Sequence, residues 1–218
     1  MVTPQTVKHL KVLEPVYWQD ACQHLIENDR VMKRLIIQYA GGGCLQSRGD
    51  PFATLARSVV GQQISIKAAQ SVWDRFVQLL PELTPAHVLL LKVDDMRAAG
   101  LSARKIEYLV DLALHFDNGA VHVGRWADMA DEAIIKELVT IRGIGRWTAE
   151  MFLIFHLMRP NVLPLDDMGL LRGISTCYFS GERVSRSDAR EVAQAWAPYR
   201  TVATWYIWRH LDPVPVEY

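Results

Sequence analysis

The chain is poor in cysteine, and its cysteines are far apart. Cys22, Cys44 and Cys177 form no C-x-x-C pair in the 218 residues, which argues against a zinc site, an iron-sulfur cluster and a disulfide scaffold. An excess of one charge sign is also lacking, since 24 Lys and Arg residues balance 24 Asp and Glu residues. The balance excludes a general attraction to polyanions, but local cations and backbone donors remain available as phosphate ligands.

Long apolar runs are lacking as well. No stretch reaches the roughly 18 uncharged apolar residues that a membrane-spanning helix needs, and residues 1–15 contain no apolar segment of the kind found in secretion signals. We therefore expect a soluble intracellular protein with no membrane partner. The expected location is the cytoplasm, in association with the nucleoid, if the source is bacterial, and the nucleus if it is eukaryotic.

Apolar residues instead recur at helical spacing along most of the chain. In the segment 131–141, for example, Ile134, Ile135 and Leu138 fall on one face. No convincing strand pattern appears, so we predict an all-α fold of about ten helices. The prolines of the segment 159–165 mark a linker between two helical units. The predicted helices are 15–28, 30–40, 52–62, 66–80, one starting at Pro85, one capped by Ser102, 131–141, 147–157, 167–178, 185–197 and 201–211.

A short glycine turn separates two of the predicted helices. Gly143 and Gly145 flank Ile144, and their missing side chains let the backbone reverse and another molecule approach closely. The second helix then starts with unpaired N–H groups and the positive end of its dipole, which suits a phosphate oxygen. Carbonyls of the turn can hold a monovalent cation. A plain helix–helix turn explains the same residues, whereas a dinucleotide-binding loop would follow a strand.

An acidic pair, Asp166 and Asp167, follows Pro164. A helix cap and a charge at the helix dipole explain the pair simply. Beside a linker between two helical units, however, the pair also lies where a cleft forms, and reactive carboxylates are found in clefts. Trp147, at the start of the helix after the turn, is expected to face that cleft.

A polar turn interrupts the helices near Gln63. The segment 61–65 is either a connector or a narrow turn whose Gln63 side chain fills the gap left by a nucleotide that leaves the DNA duplex. Seven tryptophans occur in the chain, and most must belong to the core. A pair of aromatic rings flanking a slot would stack a planar base, and would hold a cationic base more strongly.

Together, these motifs resemble the helix-hairpin-helix base-excision DNA glycosylase superfamily, and within it the 3-methyladenine DNA glycosylase II branch. The resemblance covers roughly residues 29–211. It implies two helical lobes with the active site in the cleft between them, one lobe formed by residues 1–50 and 161–218 and the other, 51–160, carrying the hairpin. The matching segments are RGDPFATLARSVVGQQISIKAAQSVW, AAGLSARKIEYLVDLALHF, LVTIRGIGRWTAEMFLIF, VLPLDDMGLLRGI and WAPYRTVATWYIWRHL.

The resemblance also implies roles for individual residues. Asp167 matches the catalytic aspartate. The other implied roles are substrate binding for Asp166, Trp147, Trp208 and Met151, DNA binding for Gln63, Gly143, Gly145, Arg146 and Thr148, and a structural Na⁺ or K⁺ ion on the backbone carbonyls of Val139, Ile141 and Ile144. No cofactor is expected for the chemistry itself.

The implied function is a monofunctional DNA glycosylase that flips alkylated purines such as 3-methyladenine out of duplex DNA and hydrolyses the N-glycosidic bond. Bifunctional relatives place a lysine nucleophile where this chain has Trp147, so no Schiff base with the sugar is expected. The expected partner is double-stranded DNA containing alkylated bases, bound by a monomer. Three alternatives fit the same residues: a glycosylase for deaminated or oxidised bases, a non-catalytic helix-hairpin-helix DNA-binding protein, and a helical protein-interaction domain.

Overall fold

The computed structural model describes residues 15–47 and 49–212, and every regular element within these ranges is helical. The prediction of an all-α fold is therefore confirmed. None of these helices has both the length and the apolar character that crossing a membrane requires. Residues 1–14, 48 and 213–218, which the predicted lobes include, lie outside the described residues. The helices are α1 (Trp18–Asn28), α2 (Arg30–Gln38), α3 (Pro51–Gly61), α4 (Ile66–Gln78), α5 (Pro85–Leu89), α6 (Val93–Ala98), α7 (Ala103–Asp117), α8 (Asp131–Leu138), α9 (Arg146–Phe155), α10 (Met168–Tyr178), α11 (Arg186–Val192) and α12 (Arg200–Leu211).

Side-chain caps set several helix starts. Asp50 accepts a hydrogen bond from the Ala53 amide at 2.8 Å before α3, and Ser102 caps α7 as predicted. The end of α11 differs from the prediction, because the helix stops well before residue 197. Residues 193–198 form turns instead, with shorter-range bonds such as the Gln194 amide to the Glu191 carbonyl at 3.1 Å and the Ala197 amide to the Gln194 carbonyl at 3.3 Å, and an apolar pattern does not distinguish such turns from α-helix. Short elements such as α6 and a 3-10 helix, Val123–Asp128, were not predicted because they are too short to repeat an apolar pattern.

The helices that pack most closely fall into two sets. In the terminal set, α1, α2 and α12 pack on one another, α10 packs on α12, and α11 packs on α10. In the central set, α3 packs on α4, α7 and α9, while α5 and α6 pack on α7 and α8 packs on α9. Buried apolar side chains form one cluster that runs through both sets. The boundaries of the two lobes remain a prediction.

The segment between α9 and α10 connects the central set to the terminal set. Tyr17 donates its hydroxyl to the Met158 carbonyl at 2.7 Å. Thr201, at the start of α12, donates its amide to the Pro160 carbonyl at 3.0 Å and accepts the Val162 amide at 2.9 Å. These bonds tie the segment to α1 and α12, and so fix the place where α10 begins.

Candidate active site

Asp167 lies at the N-cap of α10 and is 5% exposed. Its Oδ1 accepts the Leu170 amide at 2.6 Å and the indole Nε1–H of Trp208 at 2.9 Å. Its Oδ2 accepts the indole Nε1–H of Trp147, also at 2.9 Å. A nearly buried carboxylate needs hydrogen-bond donors in place of water. These three donors offset the cost of burying the Asp167 carboxylate and fix its orientation.

The two tryptophans reach Asp167 from different helix sets. Trp147 is in the first turn of α9, in the central set, and Trp208 is in the last turns of α12, in the terminal set. The Trp208 ring stacks on Phe155 with a centroid separation of 5.8 Å and an interplanar angle of 12°. The structure therefore brings three of the predicted site residues together where the two sets meet.

The glycine hairpin, residues 139–145, joins α8 to α9. Gly143 has a φ of +83°, and a Cβ at this position would lie 2.2 Å from Cδ2 of Tyr108. The fold therefore requires glycine at position 143. A Cβ on Gly145 would meet nothing within 4 Å, although Gly145 is the N-cap of α9. The fold leaves open space at the positive end of this helix, where an anion binds favourably.

Glu137 anchors the first helix of the hairpin, and no sequence pattern pointed to it. Its carboxylate accepts the His122 amide at 2.7 Å, the His122 Nδ1 at 2.8 Å and the Trp126 Nε1–H at 2.7 Å. Burial alone would raise the pKa of the Glu137 carboxyl, but the hydrogen bonds from His122 and Trp126 outweigh burial and hold the pKa below its ordinary value.

A groove of about 580 Å³ lies beside the hairpin. It is lined by the end of α3, the turn into α4 and the start of α4 on one side, and by Gly143, Trp147 and Thr148 on the other. Gln62 donates from Nε2 to the Gly143 carbonyl at 2.8 Å and so ties the two sides together. Gln63 is exposed in the turn, with a φ of +60°. Half-buried Trp147 borders both the groove and Asp167, whereas Asp167 does not line the groove.

Arg146 is engaged by two carboxylates of the protein. Its Nε donates to Oε1 of Glu150 at 3.0 Å, and its Nη1 donates to Oε2 of Glu132 at 3.1 Å. Burial raises the pKa of the Glu150 carboxyl, and Arg146 opposes this shift. Sequence reasoning found Arg146 but neither of its acidic partners.

The remaining predicted site residues make ordinary contacts within the protein. Asp166 is exposed and ion-pairs with Arg186 at 2.7 Å, and Met151 is buried one turn after Trp147. The three carbonyl groups predicted to bind a cation lie in or beside the hairpin turn, and the Ile141 carbonyl accepts the Ile144 amide at 3.1 Å. The roles of these residues in binding remain predictions.

Comparison with known proteins places this chain among base excision repair proteins. A family model described as "HhH-GPD superfamily base excision DNA repair protein" matches residues 56–198. DNA-3-methyladenine glycosylase 1 of Schizosaccharomyces pombe is 32% identical, over 85% of this chain and 82% of the relative. A structure of the 3-methyladenine DNA glycosylase of that yeast with abasic DNA matches with a TM-score of 0.76 over 87% of this chain and 95% of its own. The DNA-3-methyladenine glycosidase of Bacillus halodurans matches with a TM-score of 0.75 and 33% identity, over 84% and 90% of the two chains.

Proposed function

The chain belongs to the HhH-GPD superfamily of base excision DNA repair proteins, and from this membership we propose that it is a DNA-3-methyladenine glycosylase. It binds duplex DNA and hydrolyses the N-glycosidic bond of alkylated purines. The names of its relatives and the abasic DNA in one related structure support this assignment. The observation that carries it is the carboxylate of Asp167, nearly buried and hydrogen-bonded by two indoles beside a glycine hairpin.

Asp167 acts on the sugar rather than on the base. An alkylated purine carries a positive charge, so it leaves as a neutral molecule and needs little help from an acid. Positive charge then develops at the anomeric carbon, and a fixed carboxylate stabilises it or orients the attacking water. Oδ2 is the oxygen that serves the sugar, because it accepts one hydrogen bond whereas Oδ1 accepts two.

Trp147 and Trp208 bind the flipped base, with Met151 and Asp166 nearby. Stacking against an indole favours a cationic base over a neutral one by about 0.5–2 kcal/mol. This preference is small, so the intrinsic lability of the damaged nucleotide contributes much of the selectivity. A broad range of alkylated purines is the expected substrate.

The hairpin and the α3–α4 turn bind the DNA backbone around the lesion. The open N-terminus of α9 offers the amides of Gly145 and Thr148, with that of Gly143 in the preceding turn, to a phosphate. Arg146 adds a cation at the same helix end. Gln63, exposed in its turn, enters the duplex where the nucleotide has left.

The hairpin carbonyls fit a structural Na⁺ or K⁺ ion. The helix α8 ends at Leu138, so the carbonyls that follow lie at the negative end of its dipole. Val139, Ile141 and Ile144 offer uncharged oxygen donors, the ligand type that hard cations prefer. Such an ion would strengthen the attraction between the hairpin and a DNA phosphate.

Trp147 supplies no amine for attack on the sugar, so the enzyme is monofunctional. We place it as a monomer acting in the cytoplasm with the nucleoid, or in the nucleus if the source is eukaryotic.

The test is release of free base from methylated duplex DNA, with the products identified by chromatography. We expect 3-methyladenine among the products, and we expect Asp167→Asn to slow its release on the order of 10²- to 10³-fold while the variant still binds duplex DNA. Asp94→Asn makes the same chemical change at a side chain that is 92% exposed in α6 and serves as the control. Release of deaminated or oxidised bases alone, or of no base, would contradict the assignment, and unchanged release by Asp167→Asn would remove Asp167 from its role.

A further inference from the structure

Arg146, the first residue of α9, is held between a surface acid and a buried acid. Its two terminal nitrogens, Nη1 and Nη2, donate to the two oxygens of Glu132 in α8, while Nε donates to Oε1 of Glu150. The Glu132 side chain is 62% exposed and that of Glu150 is 5% exposed. The guanidinium therefore bridges solvent and the protein interior at the helix end that borders the hairpin.

The buried Glu150 carboxylate depends on the Arg146 guanidinium to offset its negative charge. Its Oε2 is buried and accepts no hydrogen bond from the part of the chain that the structure describes. The charged groups that act on it are Arg146 on its own helix, Glu132 from α8 and Asp166 from the segment before α10. Asp166 is itself paired with Arg186 of α11. Burial and the two carboxylates raise the pKa of Glu150, and Arg146 alone among these groups lowers it.

We propose that duplex DNA draws the Arg146 guanidinium onto a backbone phosphate and that Glu150 takes up one proton from solvent when the guanidinium leaves. The inference rests on the proposed function, because it requires a DNA phosphate at the start of α9. A phosphate accepts two parallel hydrogen bonds from arginine, so it can take Nη1 and Nη2 from the exposed Glu132, whose ion pair with Arg146 contributes little stability. The proposal requires that this outward movement of the guanidinium also withdraws Nε from Glu150. The Glu150 side chain is only 5% exposed, so water cannot solvate its carboxylate in place of the lost guanidinium. A buried carboxylate without its cation is costly, and protonation removes that cost.

The proposal fixes the sign of a pH effect. The pKa of Glu150 is higher in the complex, where Arg146 no longer opposes burial, than in the free protein. DNA binding is therefore accompanied by proton uptake at any pH between these two pKa values, and affinity increases as the pH falls through that range. Above the upper pKa no proton is taken up and the affinity is at its lowest.

The experiment measures affinity for a fluorescent duplex containing an abasic-site analogue, by anisotropy, from pH 5 to 8 at constant ionic strength. We expect the wild-type affinity to fall as the pH rises, by up to about tenfold per pH unit where a full proton is exchanged. Glu150→Gln should bind more tightly at pH 8 and lose this dependence. Glu82→Gln removes the same charge from an exposed position before α5 and should retain the wild-type dependence. A wild-type pH dependence in Glu150→Gln contradicts the proposal.

A second variant tests the guanidinium directly. Arg146→Ala should lower the slope of log affinity against log salt concentration by about one, and it should also lose the pH dependence. This half-exposed position keeps the test decisive if Glu150→Gln unfolds, which thermal denaturation would reveal. An unchanged salt slope overturns the inference. Base release is assayed separately. If the wild type releases base but Arg146→Ala leaves the salt slope unchanged, the inference alone is refuted. If Arg146→Ala lowers the salt slope but the wild type releases no base, the proposed function alone is refuted.

Discussion

Trp208 donates its indole N–H to Oδ1 of Asp167 at 2.9 Å. The same oxygen accepts the Leu170 amide, and the Trp208 ring stacks on Phe155. Asp167 is therefore oriented from its Oδ1 side by groups that are themselves fixed, while Oδ2 is bonded to Trp147 at the edge of the groove. Under the proposed function the two tryptophans would differ in role: Trp208 would position the carboxylate, and Trp147 would release Oδ2 to the sugar.

Trp208→Phe tests this positioning role. The variant keeps an aromatic ring for stacking but loses the indole donor, and a hydrogen bond to a charged group contributes about 1.5–3 kcal/mol. We expect single-turnover base release to slow by about 10- to 100-fold, with a smaller change in affinity for abasic duplex DNA. Trp205→Phe, on the same helix, removes an indole that packs edge-on against Trp18 and should release base at close to the wild-type rate. Equal slowing of both variants would contradict a specific role for Trp208.

Gly143→Ala should mainly lower the stability of the protein, whereas Gly145→Ala should mainly lower its affinity for duplex DNA. At position 143 a methyl group would overlap Tyr108 and sit on backbone with positive φ, so we expect a loss of about 2–5 kcal/mol in the free energy of unfolding. At position 145 the methyl group points into open space, so unfolding should change by about 0.5 kcal/mol or less. Affinity for duplex DNA should nevertheless fall, because the methyl group blocks close approach of a phosphate. Urea denaturation and anisotropy separate the two effects.

Local sequence patterns predicted the all-α fold, the hairpin and the start of α10, because periodicity, glycine and helix caps act over a few residues. The resemblance to a family pointed to Trp208, which is 41 residues from Asp167. Contacts that depend only on packing were not predicted. Glu137 meets His122 across 15 residues, and Gln62 meets Gly143 across 81. Neither pair forms a periodic or motif signal, since their proximity arises from how the helices fold against one another.

Glu137 should make hairpin stability depend on acidity. Because hydrogen bonds hold its folded pKa below the ordinary value, its contribution is fully present above the unfolded pKa, about 4.3, and is lost as the pH falls through the folded pKa. Glu137→Gln should therefore lower the free energy of unfolding at pH 7, and the difference from wild type should shrink toward pH 3. Urea denaturation at several pH values measures this. A difference in the free energy of unfolding that stays constant or increases toward pH 3 would contradict the role assigned to the Glu137 carboxylate.

The enzyme should leave abasic strands intact. Lyase activity requires an uncharged amine that reaches the sugar, and the hairpin position where bifunctional relatives carry lysine is Trp147 here. Burial lowers the pKa of Lys105, which would favour a nucleophilic amine, but its Nζ donates to the Val60 carbonyl at 2.8 Å at the end of α3. We expect methylated duplex to yield strand breaks only after alkali, and borohydride to trap no covalent adduct. Strand breaks without alkali would indicate lyase activity by an amine, and the loss of these breaks in Lys105→Met would identify that amine as Lys105.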